Sequence, residues 1–384
     1  MDTSVRREGC SCGGGNGKLW FSDTVSGLLL GSVTALLPGL HPLLFSFRSD
    51  VASSIAYGVY SALSIIPSAF LGAFSVSTAY TAVVAHRLVS RGKGARVVLL
   101  YSAGVVVGLL LSLVYYPLTA LLGVRLPPLL IFSVLLYVSV LTVVRSRRPL
   151  IAALLAVLYS LYGFVVLKLP LPVRQPLTVS ISGLFGASSV LVAALSRSEF
   201  RYGREGSVPW QVLLRGAVFG MVCAFIIACF PAVSVSLAAF LVHPLLKVRD
   251  EEMVVASGSA ASSSLLLTAY GKNFGYVRSS FAAALPDYVY LPRVWSAVAF
   301  GVCVGAAMAL ALAPLVYRAY SARSVKLLSV LFVILLAFSV SGVPGVLLSV
   351  SSIFAGALTH LLGVEKRIAM FFLLAPTLLY YSPV

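Results

Sequence analysis

Long uncharged apolar runs, separated by short charged clusters, make up most of this chain. Between neighbouring charged residues lie 24–47, 51–86, 97–124, 126–144, 149–167, 175–196, 216–246, 294–317 and 327–364. A helix needs about 20 apolar residues to cross a bilayer, and several of these runs are long enough for two. Division of the longest at Pro67, Pro231 and Pro344, with the stretch after Arg367 added, predicts about ten to twelve transmembrane or re-entrant helices. The expected fold class is therefore an all-α integral membrane protein, multi-pass in the cell membrane.

Composition sharpens that reading. Hydrophobic residues are 60% of the 384 and charged residues 10%, with a mean hydropathy of +1.02; soluble domains carry about 25% charged residues. The net charge of +17 does not mark a nucleic-acid surface, because the Lys and Arg stand in clusters between apolar runs, as topogenic charge does. Residues 1–20 read as a disordered Gly-rich tail. Its Cys10 and Cys12 supply half of a tetrahedral metal set, and no metal or cofactor site is expected. No secretory signal precedes the first apolar run.

Three acid-free clusters, Arg87 to Arg96, Arg145 to Arg148 and Arg318 to Lys326, belong in the cytoplasm by the positive-inside rule. Residues 97–144 then form a helical hairpin with Arg125 outside. A hydrophilic linker, 197–209, divides a first membrane repeat (21–196) from a second (210–384).

The halves resemble each other. Residues 102–118 align without a gap on 299–315, with seven identities in the fifteen positions from 104 to 118, among them Gly104 with Gly301, Gly108 with Gly305 and Pro117 with Pro314. Upstream, Gly27 and Gly220 each stand eleven residues before a proline, Pro38 and Pro231. The helix of Gly104 leaves the cytoplasm and that of Gly301 enters it, which is the inverted-repeat pattern of secondary transporters. Lys18 and the 197–215 cluster point the other way, since both look cytoplasmic and would start the halves in one direction. The tetrapeptide His41, Pro42, Leu43, Leu44 recurs as His243, Pro244, Leu245, Leu246 at an offset of 202 that fits neither register.

Polar residues inside the apolar runs are the candidate binding residues. They are Pro38, Gly39, His41, Ser75, Ser77 and Thr78 in the first half, and Ser257, Gly258, Ser259, Ser262 and Ser263 in the second. The serines recur at spacings of three and four on one helical face, with Ser257 and Gly258 expected at its start. Free N–H groups at a helix start suit an anion, and freed carbonyls at a break suit Na+ or a protonated water. Such small residues equally let helices pack closely in lipid. None of the eleven acidic residues falls in the middle of an apolar run, so a midplane carboxylate relay is disfavoured. His41 is the titratable group best placed for coupling. Enzyme readings find no support, since no HExxH motif and no intramembrane aspartate pair occurs.

The segments IIPSAFLGAF, AHRLVSRGKG and GLLLGSVTALLPGLHP, with SGSAASSSLLLTAYGKNFGYVRSS in the second half, resemble the large membrane subunit of tripartite tricarboxylate transporters, the TctA family, and most its shorter archaeal-type members. The resemblance spans about 25–118 and 216–315. It implies an ion-gradient-coupled permease for a small anionic organic solute, driven by Na+ or H+, with a small membrane subunit and an extracytoplasmic solute-binding protein as partners. Where that family has GAP and PGHR, this chain has Gly72 to Thr78 as GAFSVST and Val84 to Arg87 as VAHR. A non-transporting protein on the same scaffold, an assembly or lipid-handling factor, is the alternative.

Overall fold

The computed structural model describes residues 16–42, 45, 47, 49–72, 79–114, 126–196, 202–203, 207–246 and 248–383. All secondary structure among them is helical. In the first half the helices are α1 (Asn16–Leu36), α2 (Asp50–Leu63), α3 (Ile65–Leu71), α4 (Ala79–Ser90), α5 (Gly94–Val114), α6 (Pro128–Val144), α7 (Pro149–Lys168), α8 (Pro176–Ile181) and α9 (Ser188–Leu195), with a π-helical turn, Ser182–Ala187, between the last two. In the second they are α10 (Trp210–Cys229), α11 (Val235–Leu246), α12 (Asp250–Lys272), α13 (Ser280–Ala284), α14 (Leu291–Ser321), α15 (Arg323–Leu361) and α16 (Phe371–Tyr380), with a 3-10 turn, Lys366–Met370, before α16. Eight helical stretches are long and apolar enough to cross a membrane, and the chain is an all-α integral membrane protein.

Prolines act unequally. Pro67 does not divide its run: it sits in the first turn of α3, where a missing N–H costs nothing, and Asp50 to Leu71 crosses as one stretch with a kink at Ser64. Pro38 and Pro231 do follow helix ends. Gly342, with φ 61, turns α15 back on itself just before Pro344, so that Gly345 returns to the Ala337 carbonyl.

Glycine lets the central helices touch backbone to backbone. On α2, Gly27 and Gly31 of α1 meet Ala52 with Ile55 and Ala56 with Val59, while Gly301 and Gly305 of α14 meet Ile55 and Val59. On α12, Gly216 and Gly220 of α10 meet Glu252 with Val255 and Ala256 with Ser259, while Gly104 and Gly108 of α5 meet Val255 and Ser259. Reciprocally, Gly58 of α2 packs on Val298 and Val302, and Gly258 of α12 on Tyr101 and Val105. Each contact in one set has its counterpart in the other, in the 197 register for α5 and α14.

The contacts correct the upstream alignment. Gly27 takes the place of Gly216, and Gly31 that of Gly220. Both helices carry two glycines four residues apart, so a slip of one turn keeps the same face, and the shared eleven-residue spacing to proline chose the wrong partner. Consequently α10 runs about one turn further than α1 before its break.

Residue numbers rise together across all of these pairs, so α1, α2 and α14 are mutually parallel, as are α5, α10 and α12. The two sets oppose each other. Gly94 lies against the Phe70 ring while Tyr101 donates to the Ser61 carbonyl at 2.8 Å, which makes α5 antiparallel to α2 and α3. Ion pairs mark the ends: Arg87 with Asp250, and Lys93 and Arg96 with Glu251, at one face; Arg293 with Asp50 at the other.

The starts of α1 and α10 lie at opposite faces, and the Arg-rich corners gather at the face of Arg96, which the positive-inside rule assigns to the cytoplasm. Of the linker, Tyr202 and Gly203 are packed on the molecule: the Tyr202 carbonyl accepts from Ala95 N–H at 2.8 Å, satisfying one of the free donors at the start of α5.

A second group, α6 to α9 with α15 and α16, stands beside this core. Tyr159 donates to the Ala355 carbonyl at 2.7 Å and Tyr162 pairs with Ser352 at 2.6 Å, tying α7 to the second half of α15. Gly163 packs on Phe372 and Gly356 on Leu184, fixing α16 on α7 and α15 on the π turn.

Candidate functional site

Between the two groups of helices lies a recess built around the end of α1. Helix α1 stops at Leu36, and Gly39, at φ 91, takes a conformation that a side chain would resist. The freed Leu36 carbonyl accepts from the Tyr320 hydroxyl. The chain then turns back past α2, so that His41 meets the rings of Tyr57 and Tyr60 edge-on, at centroid distances of 5.7 and 5.1 Å.

Thr34, Pro38, Gly39 and His41 form one wall; Tyr60, Ser64 and Ser68 from the α2–α3 stretch form the second; Ile181 at the end of α8, with Phe185 and Gly186 from the π turn, forms the third. Thr34 and Ser68 donate back to the carbonyls of Leu30 and Ser64 at 2.7 and 2.8 Å. A Cβ at Gly186 would lie 1.9 Å from the Gly39 Cα, so the break and the π turn touch without any side chain between them. Irregular helix turns of this kind are frequent at functional sites.

Of the residues singled out in the sequence, Pro38, Gly39 and His41 line this recess. Ser75, Ser77 and Thr78 lie outside the described residues. Ser257, Gly258, Ser259, Ser262 and Ser263 are not in its wall. Their hydroxyls bond Met253 O at 2.9 Å, Ala217 O at 2.9 Å, Val105 O at 2.8 Å and Gly108 O at 2.8 Å for Ser257, Ser259, Ser262 and Ser263 in turn. Three of the four thus bridge α12 to α10 or α5.

Nor does a helix start at Ser257. Asp250, Glu251 and Glu252 fill the first turn of α12, and Glu252 reaches back to the Arg249 N–H at 2.9 Å, so the start lies seven residues earlier and Ser257 and Gly258 are interior. Arg278 bonds the Ala228 carbonyl at 2.8 Å and that of Cys229 at the end of α10; Lys272 bonds the Leu285 carbonyl. Among the described residues no three His, Cys, Asp or Glu gather as a metal site.

Tyr60, Ser64, Ser68 and the π turn were missed in the sequence. Ser64 and Ser68 do flank Pro67 at helical spacing, which is the signal that was available. His41 and His243 precede Asp50 and Asp250 by nine and seven residues, His41 in the break after α1 and His243 within α11.

No family model matches the chain, and no solved structure matches it. Over 288 residues it is 23% identical to MJ1079, an uncharacterized protein of Methanocaldococcus jannaschii, a match that covers 68% of this chain and 71% of the other.

Proposed function

We propose that the protein is a secondary-active permease built from two inverted repeats, with the recess at the end of α1 as its solute site. The observation that carries this reading is the exchange of equivalent contacts: Gly104 on Val255 and Gly301 on Ile55, made by helix pairs that run in opposite directions. Inverted repeats give a membrane protein two related conformations open to opposite sides, and their sites form where helices are broken. The recess has the second property, because it lies at the break after α1.

The solute class rests on the resemblance to tricarboxylate permeases. A small organic anion would be met by the ring N–H of His41, the Tyr60 hydroxyl and the N–H groups of the break. An ion gradient, of Na+ or H+, would drive it, and a small membrane subunit and a solute-binding protein are the partners that the resemblance implies.

One observation favours the alternative of a non-transporting scaffold: the Ser259, Ser262 and Ser263 hydroxyls are all used in packing. Uptake of labelled carboxylates into proteoliposomes under imposed Na+ or proton gradients separates the two. Gradient-dependent accumulation that His41→Leu abolishes in folded protein supports the permease; no accumulation of any tested carboxylate under either gradient supports the scaffold.

A further inference from the structure

The fold treats the three acid-free basic clusters differently. Asp250 and Glu251 neutralise the first, pairing with Arg87, Lys93 and Arg96. The third is partly drawn inside, since Lys326 is buried and donates to the Ala193 carbonyl at 3.2 Å. The second stays open. Arg145, Arg147 and Arg148 are all exposed at the corner between α6 and α7, and among the described residues no carboxylate pairs with any of them.

This corner is held in place. The Arg148 guanidinium donates to the Leu362 carbonyl at 3.1 Å and lies against Gly363, whose absent Cβ would stand 3.6 Å from the guanidinium carbon. Gly363, at φ 62, takes the left-handed backbone that closes α15 without steric cost. From the other side Arg367, ion-paired with Glu365, donates to the Arg145 carbonyl at 3.3 Å. The corner between α6 and α7 is thus fastened to the one after α15. Helix α7 also begins here, at Pro149, so the free N–H groups of its first turn add positive potential to the three arginines.

Apolar surface adjoins this charge. Val144 and Leu150 flank the arginines in sequence, and Leu361 precedes the carbonyl that Arg148 holds; they are 65%, 87% and 76% exposed. On membrane helices such residues face acyl chains, and arginines at the helix ends stand at the level of the headgroups. A free phosphate would use the arginines alone, whereas a phospholipid uses both surfaces. We infer that Arg145, Arg147 and Arg148 bind the phosphodiester headgroup of one anionic phospholipid at the cytoplasmic face, with its acyl chains along α6 and α7. Guanidinium forks match phosphate oxygens with paired hydrogen bonds, and a zwitterionic headgroup brings a cation that three unbalanced arginines repel. The site does not depend on transport, and it serves a permease and a scaffold alike.

The test titrates the purified full chain in neutral detergent with phosphatidylglycerol and counts retained lipids by native mass spectrometry, with phosphatidylcholine of the same chains as comparison. One phosphatidylglycerol should be retained per chain in preference to phosphatidylcholine. Arg147→Gln with Arg148→Gln should raise its half-saturating concentration by about tenfold or more, at roughly fivefold for each arginine near an anionic headgroup. Arg318→Gln with Arg323→Gln removes the same charge from the exposed corner between α14 and α15, and should raise it by no more than about twofold, the share of general attraction. If loss of the Arg148 bond to Leu362 prevents folding, Arg147→Gln alone should still give about fivefold. Glycerol 3-phosphate carries the headgroup charge without acyl chains, and at equal concentration should not displace the lipid. Equal retention of the two lipids, or equal effects of the two double variants, would overturn the site and leave only the general attraction of a positive surface. Displacement by glycerol 3-phosphate would overturn it in favour of a soluble anion.

Discussion

A Cβ placed on Gly104 would stand 2.3 Å from the carbonyl oxygen of Val255, and one on Gly301 2.5 Å from that of Ile55. These are two copies of one contact, in which a glycine lets one helix approach another's backbone more closely than any side chain permits. Gly104→Ala and Gly301→Ala should each destabilise the protein by about 1–3 kcal/mol, the range for overpacking a filled interface. Gly271→Ala, whose new methyl would meet only ordinary contacts at 3.9 Å, should be neutral or stabilising in its helix. Unfolding in a fixed detergent compares the three.

The two faces of the molecule can be read by labelling. In a variant whose cysteines are replaced, Tyr288→Cys, in the exposed segment between α13 and α14, should react with an impermeant maleimide on intact cells. Arg147→Cys, at the corner between α6 and α7, should react only after permeabilisation. Both residues reacting from outside would contradict the opposed directions of α5 and α12 against α2 and α14.

Equivalent positions are not equally strong. Arg96 holds Glu251 with two hydrogen bonds of 2.8 Å, both side chains about one-fifth exposed, whereas Arg293 approaches Asp50 only to 3.7 Å and is 55% exposed. A double-mutant cycle should give a coupling of about 1–3 kcal/mol for the first, as expected of a partly buried forked pair. For the second it should give less than about 1 kcal/mol. Equal couplings would mean that solvent screens both alike.

The membrane fold was legible because its determinants are local: a run of uncharged residues must cross, and an Arg cluster between runs must stay out. The recurrence of Gly104 and Gly108 as Gly301 and Gly305 was visible for a related reason, since glycine at a close backbone contact tolerates no substitute. Gly27 was assigned one turn away because two glycines on one face look alike from either register. The π turn at Ser182–Ala187 was not legible at all, as its residues would serve an α-helix equally well. Serine was the hardest to read. A buried hydroxyl can bond its own helix, a neighbouring helix or a ligand, and these three outcomes share one sequence.

That ambiguity yields the sharpest contrast between sites. Ser262, fully buried, donates to the Val105 carbonyl of α5. Ser262→Ala should cost about 0.6–1.7 kcal/mol, as other hydroxyls between membrane helices do, and leave uptake near wild type. Ser262→Leu has no space between α12 and α5 and should fail to fold. His41→Leu and Tyr60→Phe should do the reverse, inserting and folding while uptake falls, because both residues line the recess and neither is one of the glycines on which the helix pairs close. Uptake assays on protein first tested by size-exclusion chromatography distinguish the two patterns. Folded Ser262→Leu protein without uptake would return the α12 serines to the binding site, since the loss could then no longer be ascribed to packing.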